Sequence, residues 1–217
     1  MKLTHDNCRL YLITDRRFKQ EPVEELVEAA IKSGVSMVQY REKQLPDMSS
    51  RIALGNQLKT ICKKLAVPLI INDRVDLCMA LDADGVHLGR KDMPVSIARR
   101  LLGKDKIIGA TVSNVNEARA AVKAGADYLG VGAMFATRTK PDHSPVIGFE
   151  GLRKIAESVN VPLVAIGGID AENAQQASEH GASGVAVVSA ILNAASIERA
   201  SRNLRSAVER GLSNRPD

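Results

Sequence analysis

The stretch that decides the fold is KSGVSMVQ at residues 32–39, because variants of this phrase return three more times along the chain. The other copies are LDADGVHL (81–88), KAGADYLGV (123–131) and EHGASGVAV (179–187). In three of the four copies a glycine follows a predicted helix at the position where the backbone needs a positive φ. The phrase therefore predicts a junction at which a helix ends and the chain turns into the next parallel strand.

Short apolar strands alternate with amphipathic helices along the full length of the chain. Strands are predicted at residues 10–14, 37–40, 68–72, 85–89, 107–112, 128–132, 162–167 and 184–189. Helices are predicted to begin near Val23, Ser49, Val75, Val95, Asn116, Phe149, Glu172 and Ile197. The strands are continuous apolar runs, which is typical of parallel strands that are covered on both faces.

Eight such units with right-handed crossovers predict an α/β fold, a single (β/α)₈ TIM barrel over residues 1–217. Its core is expected over about residues 10–209, followed by a short flexible C-terminal tail. The main alternative is an open doubly wound sheet. The even spacing of the strands and the lack of a GxGxxG motif in the first unit favour the barrel.

Composition narrows the classes of function. The chain has 217 residues, of which 45% are hydrophobic and 25% charged, as in an ordinary globular protein. Aromatic residues make up only 3% and tryptophan is absent, so a base-stacking nucleic-acid platform has little to stack with. The net charge of +5 comes from lysines and arginines that are interleaved with acids along the chain. This pattern favours anionic small molecules over nucleic acid as ligands.

Three cysteines, Cys8, Cys62 and Cys78, show no CxxC spacing and predict buried free thiols in a reducing compartment. We expect no signal peptide, because no apolar stretch follows the first residues. No apolar run approaches the ~20 residues that a membrane span needs. We therefore expect a cytoplasmic protein that has no membrane or nucleic-acid partner and requires no protein partner.

Polar residues and glycines, together with Val188, end or directly follow seven of the eight predicted strands, at the barrel end where TIM-barrel sites lie. In chain order they are Gln39, Arg41, Glu42 and Lys43; Asn72, Asp73 and Arg74; Gly89 and Asp92; Ser113; Thr137, Thr139 and Lys140; Gly167 and Gly168; and Val188 and Ser189. We expect these residues to form one site.

The charges in this set predict a magnesium diphosphate. Arg41, Lys43 and Lys140 favour an anion of high charge density. Two carboxylates among these cations, Asp73 and Asp92, indicate a hard divalent ion, and Mg²⁺ usually takes one or two carboxylates plus water and phosphate oxygens. The alternatives are a helix N-cap for Asp73 and a turn or cap for Asp92. Ser113 has the same alternative of a helix cap.

A second anion site is predicted after the last two strands. Gly167-Gly168 and Val188-Ser189 fit the phosphate cradle that many barrels build from backbone N–H groups and a helix N-terminus. Turn geometry alone is another reason for Gly168. Together the two halves predict a site for two phosphorylated small molecules that face each other. His87, inside a predicted strand, is expected to pack within the barrel rather than to bind a ligand.

Six ordered motifs resemble those of the thiamine-phosphate synthase (thiamine phosphate pyrophosphorylase) family. They are QYREK (39–43), NDR (72–74), GVHLGRKD (85–92), TRTK (137–140), AIGGI (165–169) and VVSAI (187–191). The resemblance runs from about Leu10 to Leu192. It implies a transferase of thiamine biosynthesis that joins 4-amino-2-methyl-5-hydroxymethylpyrimidine diphosphate to a thiazole phosphate carboxylate and releases diphosphate.

The resemblance also implies roles for individual residues. The pyrimidine diphosphate would contact Gln39, Tyr40, Arg41, Glu42, Lys43, Asn72, Ser113 and Lys140, of which Arg41, Lys43, Lys140 and Ser113 would be catalytic. The thiazole phosphate would contact Thr137, Arg138, Thr139, Gly168, Val188 and Ser189. One Mg²⁺ per active site would bind Asp73 and Asp92.

The chain departs from the family pattern at three positions. Val115 stands where the family commonly has histidine, and Ala133 and Ala136 stand where it tends to have proline. The nearest alternative function is the related thiazole tautomerase, whose members tend to lack the two carboxylates and the lysine of TRTK. Another alternative is a non-catalytic barrel that binds a phosphate metabolite.

Overall fold

The computed structural model describes residues 3–19, 21–136 and 146–215. Eight parallel strands close into a barrel in chain order, and the last strand pairs with the first. The strands are β1 Leu10–Ile13, β2 Met37–Tyr40, β3 Leu69–Asn72, β4 Gly85–Leu88, β5 Ile107–Val112, β6 Tyr128–Val131, β7 Leu163–Ile166 and β8 Gly184–Val187. The (β/α)₈ prediction is confirmed.

The helices surround the barrel. They are α1 Val23–Lys32, α2 Met48–Lys64, α3 Val75–Leu81, α4 Val95–Leu102, α5 Val115–Lys123, α6 Gly148–Ala156, α7 Ala174–Glu179, α8 Ser189–Leu192 and α9 Ile197–Ser213. A 3₁₀ turn at Asp6–Cys8 precedes β1. Every predicted strand end and helix start lies within two residues of the observed one. The sequence pattern missed the 3₁₀ turn and α8, which are too short to show a period.

The repeated phrase has a clear structural cause. Its glycines, Gly34, Gly125 and Gly181, have φ values of 116°, 101° and 110°. In the fourth copy Asp82 takes this place with φ 46° and ends α3. Two residues further on, Asp84 and Asp127 accept backbone N–H groups from the start of a neighbouring strand, at 2.9 Å from Leu69 and 2.7 Å from Ile108. Each copy of the phrase thus ends a helix, and in two copies an aspartate also links neighbouring strands at the N-terminal end of the barrel.

Two apolar layers pack against the sheet. The outer layer fills the space between strands and helices. Helix α9 contributes to it along most of its length, and its last buried residue is Gly211. The inner layer fills the barrel and includes Tyr11, Met37, Ile70 and Tyr128. The predicted single domain with a flexible tail stays a prediction.

The prediction of buried free thiols is confirmed for Cys8, Cys62 and Cys78, whereas the reducing compartment stays a prediction. Burial raises the pKa of the Cys62 thiol to about 12 and that of Cys78 to about 11. Within the described ranges, the structure contains no helix that is both long enough and apolar enough to cross a bilayer.

Gly109 makes room for the large ring of Tyr128 inside the barrel. A Cβ atom at position 109 would lie 2.1 Å from Cζ of Tyr128, whose side chain is fully buried. We predict that Gly109→Ala lowers the free energy of unfolding by about 3 kcal/mol, because the added methyl group would overlap a ring that is held by hydrogen bonds to Tyr11 and His87. Chemical denaturation followed by circular dichroism measures this loss.

Gly148→Ala is the matched control. Gly148 has φ 64°, and a Cβ there meets no atom within 4 Å, so the substitution costs only backbone strain of about 1–2 kcal/mol. Equal losses in the two variants would contradict steric crowding at Gly109.

Candidate active site

A cavity of about 180 Å³ opens at the C-terminal ends of the strands. Seven of the strands or the turns that follow them contribute to its wall. The lining residues are Tyr11, Ile13, Gln39, Arg41, His87, Thr111, Tyr128, Gly130, Gly132, Ala133, Val164, Ile166, Gly167, Gly168, Ile169, Ala186, Val187, Val188 and Ser189. The cavity therefore brings together residues predicted for the pyrimidine side, Gln39 and Arg41, with those predicted for the phosphate cradle, Gly168, Val188 and Ser189.

Arg41 is held in place by a buried acid that follows β1. Its Nη1 lies 2.5 Å from Oδ2 of Asp15, and the side chains of the pair are 12% and 4% exposed. Thr14 Oγ1 adds two bonds to the Arg41 backbone, at 2.9 Å from N and 3.1 Å from O. Burial opposes ionisation of Asp15, but hydrogen bonds from Arg17 and the charges of Arg17 and Arg41 outweigh it and lower its pKa.

One donor of Arg41 has no acceptor. Its Nε is buried and makes no hydrogen bond within the part of the chain that the structure describes. A buried N–H without a partner is costly. Because Arg41 lines the cavity, this donor suits an anionic ligand.

Tyr40 and Glu42 point elsewhere. Adjacent strand residues face opposite sides of a sheet, so Gln39 lines the cavity while Tyr40 packs in the outer layer and donates to the Arg51 carbonyl at 3.1 Å. Glu42 Oε1 accepts the backbone N–H groups of Gln44 and Leu45. The Tyr40 ring therefore does not line the cavity. The Glu42 carboxylate stabilises the loop after β2 through its two backbone hydrogen bonds.

The rim after β3 and β4 holds two neighbouring carboxylates. Asp73 Oδ2 lies 2.8 Å from Lys43 Nζ, and Asp92 Oδ2 accepts the Gly89 N–H at 2.7 Å. Burial and the adjacent Asp73 carboxyl raise the pKa of Asp92. Arg74, rather than Asp73, is the N-cap residue of α3, and it makes no side-chain cap bond. The N-cap alternative for Asp73 is therefore not what the structure shows. Asn72, the last residue of β3, is buried beside them.

Ser113, after β5, is oriented by two ionised side chains. Its Oγ donates to Glu117 Oε2 at 3.0 Å and accepts from Arg90 Nη1 at 3.0 Å. The cap of α5 is the next residue, Asn114, which accepts the Glu117 N–H at 2.9 Å. The residue that caps α5 is therefore Asn114 and not Ser113.

The turn after β7 requires glycine for two reasons. Gly167 and Gly168 have φ values of 96° and 69°. A Cβ at position 168 would also lie 2.7 Å from Cβ of Phe135. The turn after β8 leads directly into α8, with Val188 as the N-cap residue. Both turns face the same cavity.

Known proteins with this fold and these motifs identify the family. The sequence model described as thiamine monophosphate synthase matches residues 10–191. This chain belongs to that family. A thiamine-phosphate synthase from Syntrophomonas wolfei is 47% identical over 209 residues, covering 96% of this chain and 100% of that protein. One from Clostridium botulinum (strain Kyoto / Type A2) is 49% identical over 201 residues, covering 91% and 97%. The solved thiamine phosphate pyrophosphorylase from Pyrococcus furiosus superposes with a TM-score of 0.87 at 42% identity, covering 96% and 98%.

Four residues of the family motif TRTK, Thr137, Arg138, Thr139 and Lys140, lie outside the described residues. Their predicted contacts with the two substrates stay predictions. Of the departures from the family pattern, Val115 starts α5 and Ala133 lines the cavity.

Sequence reasoning about this family member missed Asp15, Arg90 and a hydrogen-bonded group inside the barrel. A signal for Asp15 was present, because Thr14 and Asp15 directly follow the first strand, the one strand for which no site residue was predicted. The barrel interior holds Tyr11, Tyr128 and His87. No motif indicates these contacts, since they depend on how strands distant in the sequence align.

The Asp15–Arg41 pair predicts a pH-dependent stability. We expect Asp15→Ala to lower the free energy of unfolding by about 3 kcal/mol at pH 7, because it leaves the Arg41 charge buried without its partner. Since folding lowers the pKa of Asp15, its stabilisation is present above the ordinary aspartate pKa of about 4 and is lost as the pH falls through the lowered value. Urea denaturation from pH 7 to pH 3 should show the gap between wild type and variant closing with acid.

Glu150→Ala removes an exposed carboxylate that pairs with Arg153. Because exposed pairs contribute little, this control should stay close to the wild type at every pH. A gap between wild type and Asp15→Ala that widens with acid would contradict the account.

Proposed function

We propose that this protein is a thiamine-phosphate synthase that makes thiamine monophosphate, diphosphate and CO₂ from the aminopyrimidine diphosphate and the thiazole phosphate carboxylate. One observation carries the proposal: a single cavity is lined by Gln39 and Arg41 on one side and by Gly168 and Ser189 on the other. The sequence identity with thiamine-phosphate synthases, which extends over nearly the whole chain, supports it. The three buried free thiols support a cytoplasmic location.

The pyrimidine diphosphate binds with its charge at the cationic rim. Arg41 contributes its buried Nε donor, and Lys43 reaches the same end of the barrel from the loop after β2. Lys140 supplies a third cation, and Ser113, fixed by Arg90 and Glu117, supplies a hydroxyl. These groups are aimed at charge that develops as the diphosphate leaves, which is the stabilisation that accelerates such a step most.

Asp73 and Asp92 fit a magnesium ion. The two carboxylates are close enough for Asp73 to raise the pKa of Asp92. A hard cation relieves this repulsion, and Mg²⁺ needs only one or two protein carboxylates. No group of three or more ligating Asp, Glu, His or Cys side chains occurs among residues 3–19, 21–136 and 146–215. One Mg²⁺ bound here supplies positive charge to the diphosphate oxygens and makes the diphosphate a better leaving group.

The reaction follows a dissociative path. The bond between the methylene carbon and the diphosphate oxygen breaks, and its electron pair leaves with the diphosphate. The electron-rich aminopyrimidine stabilises the resulting cation until the thiazole nitrogen donates its lone pair to form the new C–N bond. The carboxylate then leaves as CO₂, and its bonding pair stays on the ring carbon, which takes up a proton if the aromatic tautomer is the substrate. Ile13, Val164 and Ile166 give the cavity an apolar wall that keeps water away from the cation.

The thiazole phosphate occupies the wall formed by the turns after β7 and β8, to which Gly168, Val188 and Ser189 contribute. The family resemblance adds the motif residues Thr137, Arg138 and Thr139 as further contacts. Glycine at position 168 allows a phosphate close to the backbone. In this proposal the thiazole nitrogen faces the pyrimidine methylene.

The proposal predicts a defined activity. With Mg²⁺ and both substrates, the purified protein should release one diphosphate for each thiamine monophosphate formed. Asp73→Ala and Lys140→Ala should each lower kcat by about 10²–10³-fold, because the first removes a proposed Mg²⁺ ligand and the second a cation that stabilises the leaving charge. Lys104→Ala, an exposed lysine in the turn that leads into β5 at the opposite end of the barrel, should retain wild-type turnover.

Other outcomes of this assay would support one of the two alternative functions. Conversion of the thiazole tautomer without diphosphate release would show a tautomerase. Binding of either phosphate without turnover would show a non-catalytic barrel. Near-normal turnover in both Asp73→Ala and Lys140→Ala would reject the assigned roles.

Magnesium binding has a readout that is independent of turnover. Addition of Mg²⁺ should raise the melting temperature of the wild type. The corresponding gain in the free energy of unfolding is about 2.7 kcal/mol when the Mg²⁺ concentration exceeds its Kd 100-fold. Asp92→Asn should raise the melting temperature without Mg²⁺, because it removes a like charge beside Asp73, and should reduce the response to Mg²⁺. Asp105→Asn makes the same charge change at the opposite end of the barrel and should do neither. A full Mg²⁺ response in Asp92→Asn would exclude Asp92 as a ligand.

A further inference from the structure

We propose that a buried relay of hydrogen bonds fixes the orientation of the Gln39 side-chain amide and makes the site select a 4-aminopyrimidine over a 4-oxopyrimidine. The relay consists of Tyr11, Tyr128, His87 and Thr111. This inference rests on the proposed function, because it assigns the heteroaromatic ring of the first substrate to the cavity wall at Gln39.

The relay is continuous across the barrel. Gln39 Nε2 donates to the Tyr11 hydroxyl at 2.9 Å, and the hydroxyls of Tyr11 and Tyr128 are 2.9 Å apart. His87 Nδ1 lies 2.9 Å from the Tyr128 hydroxyl, and its Nε2 lies 2.9 Å from Thr111 Oγ1. Side chains from five strands, β1, β2, β4, β5 and β6, thus form one chain of contacts beneath the cavity.

The sequence leaves space for this relay at two positions. A Cβ at Gly109 would collide with the Tyr128 ring at 2.1 Å, and one at Gly130 would lie 3.0 Å from Cε1 of His87. Tyr11 and Tyr128 also pack edge to face, with ring centroids 6.0 Å apart. The polar groups are held in a single arrangement, because Gly109 and Gly130 leave just enough space and the rings of Tyr11 and Tyr128 pack against each other.

The direction of the relay follows from the number of protons available. A neutral tyrosine hydroxyl has one proton to donate. Burial raises the pKa of Tyr11 and of Tyr128, so both keep that proton. Tyr11 accepts the Gln39 N–H, and the Tyr128 hydroxyl is the acceptor within reach of its own proton, so we assign Tyr11 as the donor to Tyr128 and Tyr128 as the donor to His87 Nδ1. The Nε2–H of His87 then donates to Thr111, so the order of donors is set from one end of the relay to the other.

This direction determines what Gln39 presents to a ligand. With one N–H bound to Tyr11, the amide offers its Oε1 and its remaining N–H to the cavity. A 4-aminopyrimidine carries an N–H donor beside a ring-nitrogen acceptor, which matches this pair as adenine matches glutamine. A 4-oxopyrimidine carries an acceptor beside an N–H donor and needs the amide turned over. Turning it over sets Oε1 against the Tyr11 hydroxyl and requires every bond of the relay to reverse together.

The test compares two substrates that differ only at this position. We would measure kcat/KM with the 4-amino pyrimidine diphosphate and with its 4-oxo counterpart, at saturating thiazole phosphate and Mg²⁺. The wild type should prefer the amino substrate by about 10²-fold or more, since a site built to pair with a polar group rejects the mismatched analogue. Tyr11→Phe should lower this preference by about 10-fold, because it leaves the amide free to turn over.

Further variants locate the effect in the relay. Tyr128→Phe should lower the preference less than Tyr11→Phe, and the double variant should lower it no further than Tyr11→Phe alone, because the two hydroxyls act in series. Thr111→Val has almost the same shape and lies at the far end, so it provides the test if the tyrosine variants do not fold. It should lower the preference by about 3-fold.

Ser178→Ala is the control, since it removes a buried hydroxyl of α7 that donates to the Ala174 carbonyl and does not line the cavity. It should leave the preference unchanged. Equal losses of kcat/KM for both substrates in Tyr11→Phe and Thr111→Val, with the preference intact, would show a purely structural role and overturn the relay. If the wild type forms no thiamine monophosphate, the proposed function fails, and the relay proposal falls with it. A wild type active on both substrates without preference would overturn the relay alone.

Discussion

Closure of the parallel sheet is the constraint on which the rest of the structure depends. Because β8 pairs with β1 as well as with β7, the C-terminal ends of all eight strands meet in one ring. Gln39 and Ser189, 150 positions apart in the sequence, thereby line the same cavity. An open sheet with the same strands would place them at separate edges. The function of this family member follows from that ring, because a condensation needs two substrates held face to face.

Two cations in the described part of the ring, Arg41 and Lys43, each have an acidic partner. Asp15 holds Arg41, and Asp73 holds Lys43. Such pairing keeps long side chains in place before a ligand arrives, and so reduces the entropy that binding must overcome. It also explains why acids occur in a site for anions. Asp15 orders a cation, whereas Asp73 and Asp92 together repel each other and suit a metal ion.

The sequence predicts the barrel well because each unit carries its own boundary signals. Continuous apolar runs mark the strands, and residues that tolerate a positive φ, such as Gly125, end the helices before them. The site is predicted less completely. Position after a strand identifies Gln39, Arg41 and Ser189, but it does not show that the neighbouring Tyr40 ring faces the helices or that Asn114, rather than Ser113, caps α5. The contacts among Tyr11, Tyr128 and His87 depend on strand register across the barrel, which local sequence does not encode.

The central claim is that one cavity, between the ends of β2 and β8, receives both substrates. A crystal structure of the protein with Mg²⁺, diphosphate and thiamine monophosphate tests it most directly. The account predicts that the pyrimidine ring lies against Gln39, that the diphosphate lies beside Arg41 and Lys43, and that the product phosphate lies at Gly168 and Ser189. Product bound at the opposite end of the barrel, or a pyrimidine ring with no contact to Gln39, would contradict it.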